Sequence, residues 1–383
     1  MARTAGIPLA AFTTLGLGGP AGRLVAAATD AELVAAVRSA DERGESLLVL
    51  GGGSNLVIAD EGFPGTVVRV ASRGVRHEVQ DPGVVRLTVA AGEDWDTVVT
   101  QAIGDGLAGL ECLSGIPGLA GATPIQNVGA YGQEVAQTLV TVRAYDRARR
   151  AVTELSHTDC GFGYRTSAFK RSAQAGAVTG RFIVLAVTFR LQRSALSAPV
   201  RYAELARTLG VGEGERAPLG DVRSSVLALR RGKGMVLDAA DPDTRSAGSF
   251  FTNPVLDLPQ FADLERAVAG ACGPGIAVPQ FPAGPGQVKV PAAWLIEHAG
   301  FGKGYRPGPD EQDARISAKH TLALVNPGGA TTASLLALAR EVAGGVRKTF
   351  GVDLSPEPVL VGVDLWLEPG ADRGASVQAI SRG

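Results

Sequence analysis

Three side chains stand in settings that suit proton delivery beside a bound anion. Ser249 lies in AGSFFTNP, between a glycine and two phenylalanines, where a hydroxyl is shielded from water. No GxSxG elbow surrounds it, so a hydrolase nucleophile is not indicated. Arg165, in CGFGYRTSAFK, offers a planar fork that matches a carboxylate or phosphate. Glu357 is held between two prolines in LSPEP, which fixes the backbone on either side of a carboxylate. Each also has a purely structural reading: a core-forming turn for Ser249, a surface cation for Arg165, a solvated turn for Glu357. His298 and His320 lack metal-ligand spacing, and no metal is expected.

Two glycine-rich segments could hold what these groups act on. Gly51, Gly52, Gly53, Ser54 and Asn55 follow an apolar run, and offer open N–H groups, a hydroxyl and an amide. That is a suitable cradle for a pyrophosphate, although a tight turn between strands would read the same way. It is neither GxGxxG nor a P-loop. The stretch Gly104–Gly132 carries eight glycines, two prolines and only two charged residues. Interior glycine costs a helix about 1 kcal/mol per residue, and the run is too apolar for a solvated linker. An ordered loop that lays bare backbone against a large flat ligand remains.

The elements that must position these loops can be read from periodicity. A helix is expected over Asp30–Arg43, capped by Asp30 and stopped at Gly44, and another over Asp94–Ile103, capped by Asp94. Ser46–Leu50, Leu56–Ile58, Thr66–Val70, Val84–Ala90, Leu139–Tyr145, Ala151–Leu155 and Arg181–Leu191 read as strands. Gln192–Arg223 reads as a crossover. Helices then dominate (Ser224–Arg231, Asp257–Val268, Ala292–Gly300, Thr331–Phe350), with a Gly/Pro-rich loop at Gly273–Gly286 and a last strand at Val359–Leu367. The fold class is α+β.

At 383 residues the chain should form two or three domains. A net charge of −1 gives no reason to expect nucleic-acid or anionic-membrane binding. No apolar run is long enough to span a bilayer, and the N-terminal residues, broken by threonines and glycines, do not read as a secretory signal. Three scattered cysteines suit neither a disulfide framework nor a metal knot. A soluble cytoplasmic protein is expected.

The segments LGGGSNLV, LSGIPGLAGATPIQNVGAYGQE, CGFGYRTSAFK, AGSFFTNP and SPEP occur in this order, and together they resemble the UDP-N-acetylenolpyruvoylglucosamine reductase (MurB) family. The likeness runs from about Phe12 to Leu367. It implies a PCMH-type FAD-binding domain of two α+β parts with a smaller α+β substrate domain: residues 1–75 (with a strand from 355–370), 76–222, and 223–354. It further implies non-covalently bound FAD, NADPH as co-substrate, a UDP-sugar substrate and a monomer. The implied activity is reduction of the enolpyruvyl sugar nucleotide to UDP-N-acetylmuramate.

By matching positions, the resemblance assigns Gly51–Asn55 to the FAD pyrophosphate. Gly115, Ile116, Pro117, Gly118, Gly121, Ala122, Gln126, Asn127, Gly129, Ala130 and Tyr131 would wrap the rest of the dinucleotide. Arg165 and Glu357 would polarise the substrate and Ser249 would donate the proton. Tyr202 matches the substrate-closing tyrosine of the longer family type. Lys233, Asn253 and, more loosely, His320 would hold the sugar nucleotide. NADPH is implied to act and leave before the sugar nucleotide binds. Pro358-Val359-Leu360 stands where some members have an arginine after the last glutamate, and the Gly273–Gly286 loop looks longer.

The chemistry is consistent with these types. Hydride addition to the alkene terminus builds charge on the carbon bearing the carboxylate, and a fixed cation there is worth on the order of 3–4 kcal/mol. Glu357 beside a carboxylate serves only as a neutral donor, since adjacent anions repel. A serine held within hydrogen-bond reach can deliver the proton. Two alternatives stay open: a flavin oxidase or dehydrogenase acting on an alcohol or sugar, and a non-catalytic flavin- or nucleotide-binding regulator.

Overall fold

The computed structural model describes residues 3–4, 6–173 and 177–366. The described residues divide into two compact units: those within 1–14, 20–54 and 63–244 form one, and those within 15–19, 55–62 and 245–366 the other.

In the first unit, strands Ala21–Ala27 and Leu47–Leu50 flank Phe63–Val70 in parallel, with Arg3–Thr4 antiparallel at the outer edge. Helix Asp30–Glu42 links the first two of these parallel strands and buries Leu33, Val37 and Ala40. Its cap is Thr29, which accepts from the Glu32 N–H, and not the expected Asp30. Asp30 lies inside the first turn and pairs with Arg143, a long-range partner that local sequence does not announce.

A second, antiparallel sheet runs Ala151–Ser156, Leu139–Asp146, Phe182–Arg193, Val84–Ala90, Val75–Asp81, with Leu107–Ala108 also pairing to Phe182–Arg193. Helix Trp95–Gly104 starts at the expected cap Asp94, whose carboxylate accepts from the Thr97 N–H. Trp95 is fully buried and packs on Phe189 at 5.6 Å between ring centroids. Strand Val75–Asp81 was not expected. It is an edge strand exposed over most of its length, so it carries no apolar alternation to read.

The expected crossover contains more order than its composition suggests. Helix Ala203–Leu209 falls within it, and the next helix spans Leu219–Gly232, five residues earlier than expected. The two pack through Leu205, Ala206, Val222 and Val226.

In the second unit, helices Leu258–Cys272, Ala292–His298 and Thr332–Phe350 bury one apolar cluster. The Gly/Pro-rich loop ends in strand Phe281–Gly284, which joins Gln287–Lys289 and Val255–Asp257 in a small antiparallel sheet. Strand Leu56–Ile58 pairs in parallel with Val359–Val361. The terminal strand therefore ends at Val361; of the expected range, Leu367 and positions 368–370 lie outside the described residues. Asp60 accepts from the Thr332 and Ala333 N–H groups at 2.8 and 2.9 Å, placing a carboxylate at a helix N-terminus where the dipole favours it. No helix among the described residues is long and apolar enough to cross a membrane.

Candidate active site

In the first unit, Leu47–Leu50 delivers the chain into Gly51–Ser54, and the structure lays that turn against the Gly115–Ala122 loop. The Ser54 hydroxyl donates to the Pro117 carbonyl at 3.1 Å. A Cβ on Gly52 would lie 2.6 Å from the Gly118 Cα, and one on Gly53 (φ +64°) would lie 1.9 Å from the Phe12 carbonyl oxygen. Backbone meets backbone here with no room for a side chain, so the two loops are locked together by glycine.

The Gly115–Ala122 loop is stitched along the segment that starts the Trp95–Gly104 helix. Gly121 N–H donates to Ala91, Ala120 N–H to Glu93, and Trp95 N–H to Gly118. Gly115 N–H donates to Asp96 Oδ1 at 2.6 Å, and Arg223 grips both oxygens of the same carboxylate at 2.7 and 2.9 Å. Burial works against the Asp96 charge, but Arg223, the Gly115 amide and Arg230 together outweigh it and hold the carboxyl below its ordinary value. Arg230 lies beside this loop, its Nε 3.5 Å from where a Gly115 Cβ would be. It donates to the Met235 carbonyl at 2.7 Å, while its Nε has no hydrogen-bond partner among the described residues. Burial pulls its pKa below that of an ordinary guanidinium. Neither Asp96 nor Arg230 was singled out in the sequence, where each reads as one more charge on a helix.

Among the described residues four non-glycine residues have positive φ, and three of them are candidate site residues: Asn127, Tyr131 and Arg165. Such conformations are disfavoured and concentrate where function fixes them. Asn127 is buried, and its amide donates to Glu134 at 2.7 Å and to the Gly163 carbonyl at 3.2 Å. Tyr131 and Gly132 form the two-residue turn of a small hairpin joining Gly129–Ala130 to Gln133–Glu134, the turn that demands positive φ at both positions. Arg165 is the second of the two central residues of a tight turn closed by reciprocal Gly163–Thr166 hydrogen bonds. Its guanidinium donates to the Gly129 carbonyl at 3.1 Å. The candidate cofactor loop and Arg165 are thus brought together. Ile116, Pro117, Ala122, Gln126 and Ala130 are half-buried along the same loop.

Tyr131 also reaches the residues expected to hold a sugar nucleotide. Its ring meets the Tyr202 ring edge-on at 5.3 Å, and the Lys233 ammonium lies 5.8 Å from its centroid. Lys233 donates to Glu204 at 2.7 Å. Desolvation works against the Lys233 charge, but Glu204, with Tyr131 and Tyr202, offsets it and raises the ammonium pKa.

The second unit carries Asn55, Ser249, Asn253, His320 and Glu357. Phe250 N–H donates to the Leu322 carbonyl at 2.7 Å, and Glu357 N–H donates to the Phe250 carbonyl at 2.8 Å. Phe251 pairs with Pro356, and Thr252 N–H donates to Ser355 at 3.0 Å. Ser249 is half-buried beside two fully buried rings in edge contact at 5.1 Å. The Asn55 amide donates to the Glu357 carbonyl at 3.4 Å, and Val359 N–H returns to the Asn55 carbonyl. Ser249, Glu357 and Asn55 therefore share one hydrogen-bonded patch. The turn at His320 is tied in through Leu322. Asn253 Oδ1 accepts from Ala292 N–H at 2.9 Å, a long-range bond that ties the residue to the start of helix Ala292–His298. Among the described residues no group of three or more His, Cys, Asp or Glu side chains is placed to hold a metal.

These residues fall within segments that match known proteins. Residues 21–153 match the family model of an FAD binding domain, and residues 241–361 match that of the UDP-N-acetylenolpyruvoylglucosamine reductase C-terminal domain. The UDP-N-acetylenolpyruvoylglucosamine reductase of Thermobifida fusca is 58% identical over 359 residues, covering 94% of this chain and 98% of its own length. That of Streptomyces coelicolor is 57% identical, covering 94% and 90%. The crystal structure of the Thermus caldophilus enzyme aligns with a TM-score of 0.62 at 27% identity, covering 94% of this chain and all of that one. The chain belongs to the UDP-N-acetylenolpyruvoylglucosamine reductase family.

Proposed function

We infer that this chain reduces the enolpyruvyl ether of UDP-N-acetylglucosamine to UDP-N-acetylmuramate in peptidoglycan precursor synthesis, with FAD as cofactor and NADPH as co-substrate. The end-to-end likeness to reductases of that name carries this reading. The glycine-locked turn at Gly52 and Gly53, which leaves the neighbouring backbone N–H groups unhindered, supports placing the dinucleotide there.

Gly51–Asn55 would hold the pyrophosphate and the loop from Gly115 to Tyr131 the remainder of the cofactor, with Arg230 as a nearby fixed positive charge. FAD held there would supply hydride chemistry, a capacity no side chain has. Arg165 meets the substrate carboxylate as charge builds there, and its tight turn limits the reorganisation needed at that moment. Glu357 supports the same carboxylate as a neutral hydrogen-bond donor. Ser249 holds the proton that goes to the carbon bearing the carboxylate. Tyr202, Lys233, Asn253 and His320 bind the sugar nucleotide. Residues 1–75 with 355–370 and residues 76–222 are assigned to the FAD-binding parts and 223–354 to the substrate part, in a cytoplasmic monomer that binds neither nucleic acid nor membrane.

The visible spectrum tests this reading. The purified protein should show flavin bands that bleach with NADPH under anaerobic conditions and return on adding the enolpyruvyl sugar nucleotide. A protein without flavin bands even after FAD supplementation, or one whose bleached bands do not return, overturns it.

A further inference from the structure

Lys233 follows helix Leu219–Gly232, and Glu204 sits in the first turn of helix Ala203–Leu209. The packing of these helices through Leu205, Ala206, Val222 and Val226 sets the two charges face to face. Their side chains keep 34% and 38% of their surface exposed, and a solvated pair of this kind is weak. Around it stand Tyr131, below the ammonium, and Tyr202, two residues before Glu204 and in edge contact with Tyr131.

We propose that Glu204 is a positioning residue whose carboxylate competes with a substrate phosphate for the Lys233 ammonium, and so sets how tightly the sugar nucleotide is held. The inference rests on the reading above that Lys233 binds that nucleotide. A diphosphate brings more charge and more acceptor oxygens than one carboxylate, so it takes the ammonium. Like-charge repulsion then drives Glu204 away from the phosphates. Tyr202 shares its turn, which ties this exchange to the tyrosine expected to close over substrate. The competition favours a ligand with a diphosphate over a neutral or singly charged sugar.

The test uses FAD-loaded, oxidised protein titrated calorimetrically with the enolpyruvyl sugar nucleotide in the absence of NADPH. Glu204→Gln should tighten binding by about 2- to 5-fold, the span of a solvated ion pair, and lower KM for the sugar nucleotide by the same factor without raising kcat. Lys233→Gln should weaken binding, and the gain from Glu204→Gln should vanish when both changes are combined. Unchanged or weaker binding in Glu204→Gln, or a gain that persists without Lys233, overturns the proposal. Retained flavin bands report folding. Should Glu204→Gln lose them, Glu204→Asp, which shortens the carboxylate's reach, is read by the same criteria. A wild-type protein that fails to bind the nucleotide, or a Lys233→Gln variant that binds normally, instead removes the underlying assignment of Lys233.

Discussion

The amide of Glu357 is hydrogen-bonded to the carbonyl of Phe250 at 2.8 Å, which joins the LSPEP segment to the neighbour of Ser249 through backbone alone. The ladder continues through Phe251 with Pro356 and Thr252 with Ser355. Side chains at 249 and 357 are therefore held by bonds that do not involve their own functional groups. Ser249→Ala should leave this ladder intact and shift stability by no more than about 0.5 kcal/mol. It should spare flavin bleaching by NADPH and slow the return of the bands with the enolpyruvyl substrate by about 100-fold. Stopped-flow absorbance separates the two half-reactions, and equal slowing of both sinks the acid assignment.

Arg165 holds an unfavourable backbone conformation, φ +51°, and its fork meets the Gly129 carbonyl. Lysine would keep the charge but present a single ammonium in place of a planar fork. Arg165→Lys should lower the rate of substrate reduction by about 10- to 100-fold with little change in melting temperature. Wild-type turnover in that variant would take Arg165 out of the reaction.

Gly52 tests the cradle itself. Alanine would set its Cβ 2.6 Å from the Gly118 Cα, and neither backbone can yield without moving its loop. Gly52→Ala should destabilise the protein by about 1–3 kcal/mol and release flavin on dialysis. An alanine variant that stays yellow with wild-type stability would show that the two loops are not locked.

Much of this was legible because loops that press backbone against backbone need glycine and proline at fixed places. GGGSN, the Gly104–Gly132 run and GSFF announced themselves without any long-range information. Strands with one buried face, such as Val84–Ala90, were equally plain. What escaped had no local signature. Val75–Asp81 is exposed over most of its length at a sheet edge, and the sheet built on Phe281–Gly284 hides among turn residues. Helix Ala203–Leu209 has no side-chain cap. Asp96 and Arg230 gain their roles only from what folding sets beside them: the Gly115 amide for one, a buried site next to that loop for the other. A pattern of residue types cannot distinguish such charges from solvated ones.

The Asp96 clamp has a pH dependence of definite sign. Its carboxyl is held below the ordinary value in the folded protein, so its stabilising contribution is complete above the unfolded pKa of about 3.9. It is lost as pH falls from there through the folded value. Wild-type stability should thus drop more steeply below about pH 4 than that of Asp96→Asn, which lacks this component at every pH. Because Asp96 holds the Gly115 amide, flavin release should follow the same curve. Urea midpoints and flavin fluorescence measured from pH 6 to 3 check both, and parallel curves for the two proteins would refute the clamp.

Thiol chemistry offers a separate check on the packing. Cys112 and Cys160 are buried, and burial, with the neighbouring Glu111 and Asp159 charges, pushes both thiols up to about 12. Only the thiolate reacts, and at pH 8 both groups stay almost wholly protonated as well as sterically shielded. Cys272 is half-buried at the end of helix Leu258–Cys272. Ellman's reagent should therefore titrate one thiol in the native protein and three after denaturation. Catalysis should be insensitive to that reagent, because no proposed step uses a thiol and Cys272 is not among the candidate site residues. Rapid modification of Cys112 in the native state would mean that the cluster beneath Tyr131, which Cys112 shares with Leu205 and Val226, opens far more readily than its burial implies.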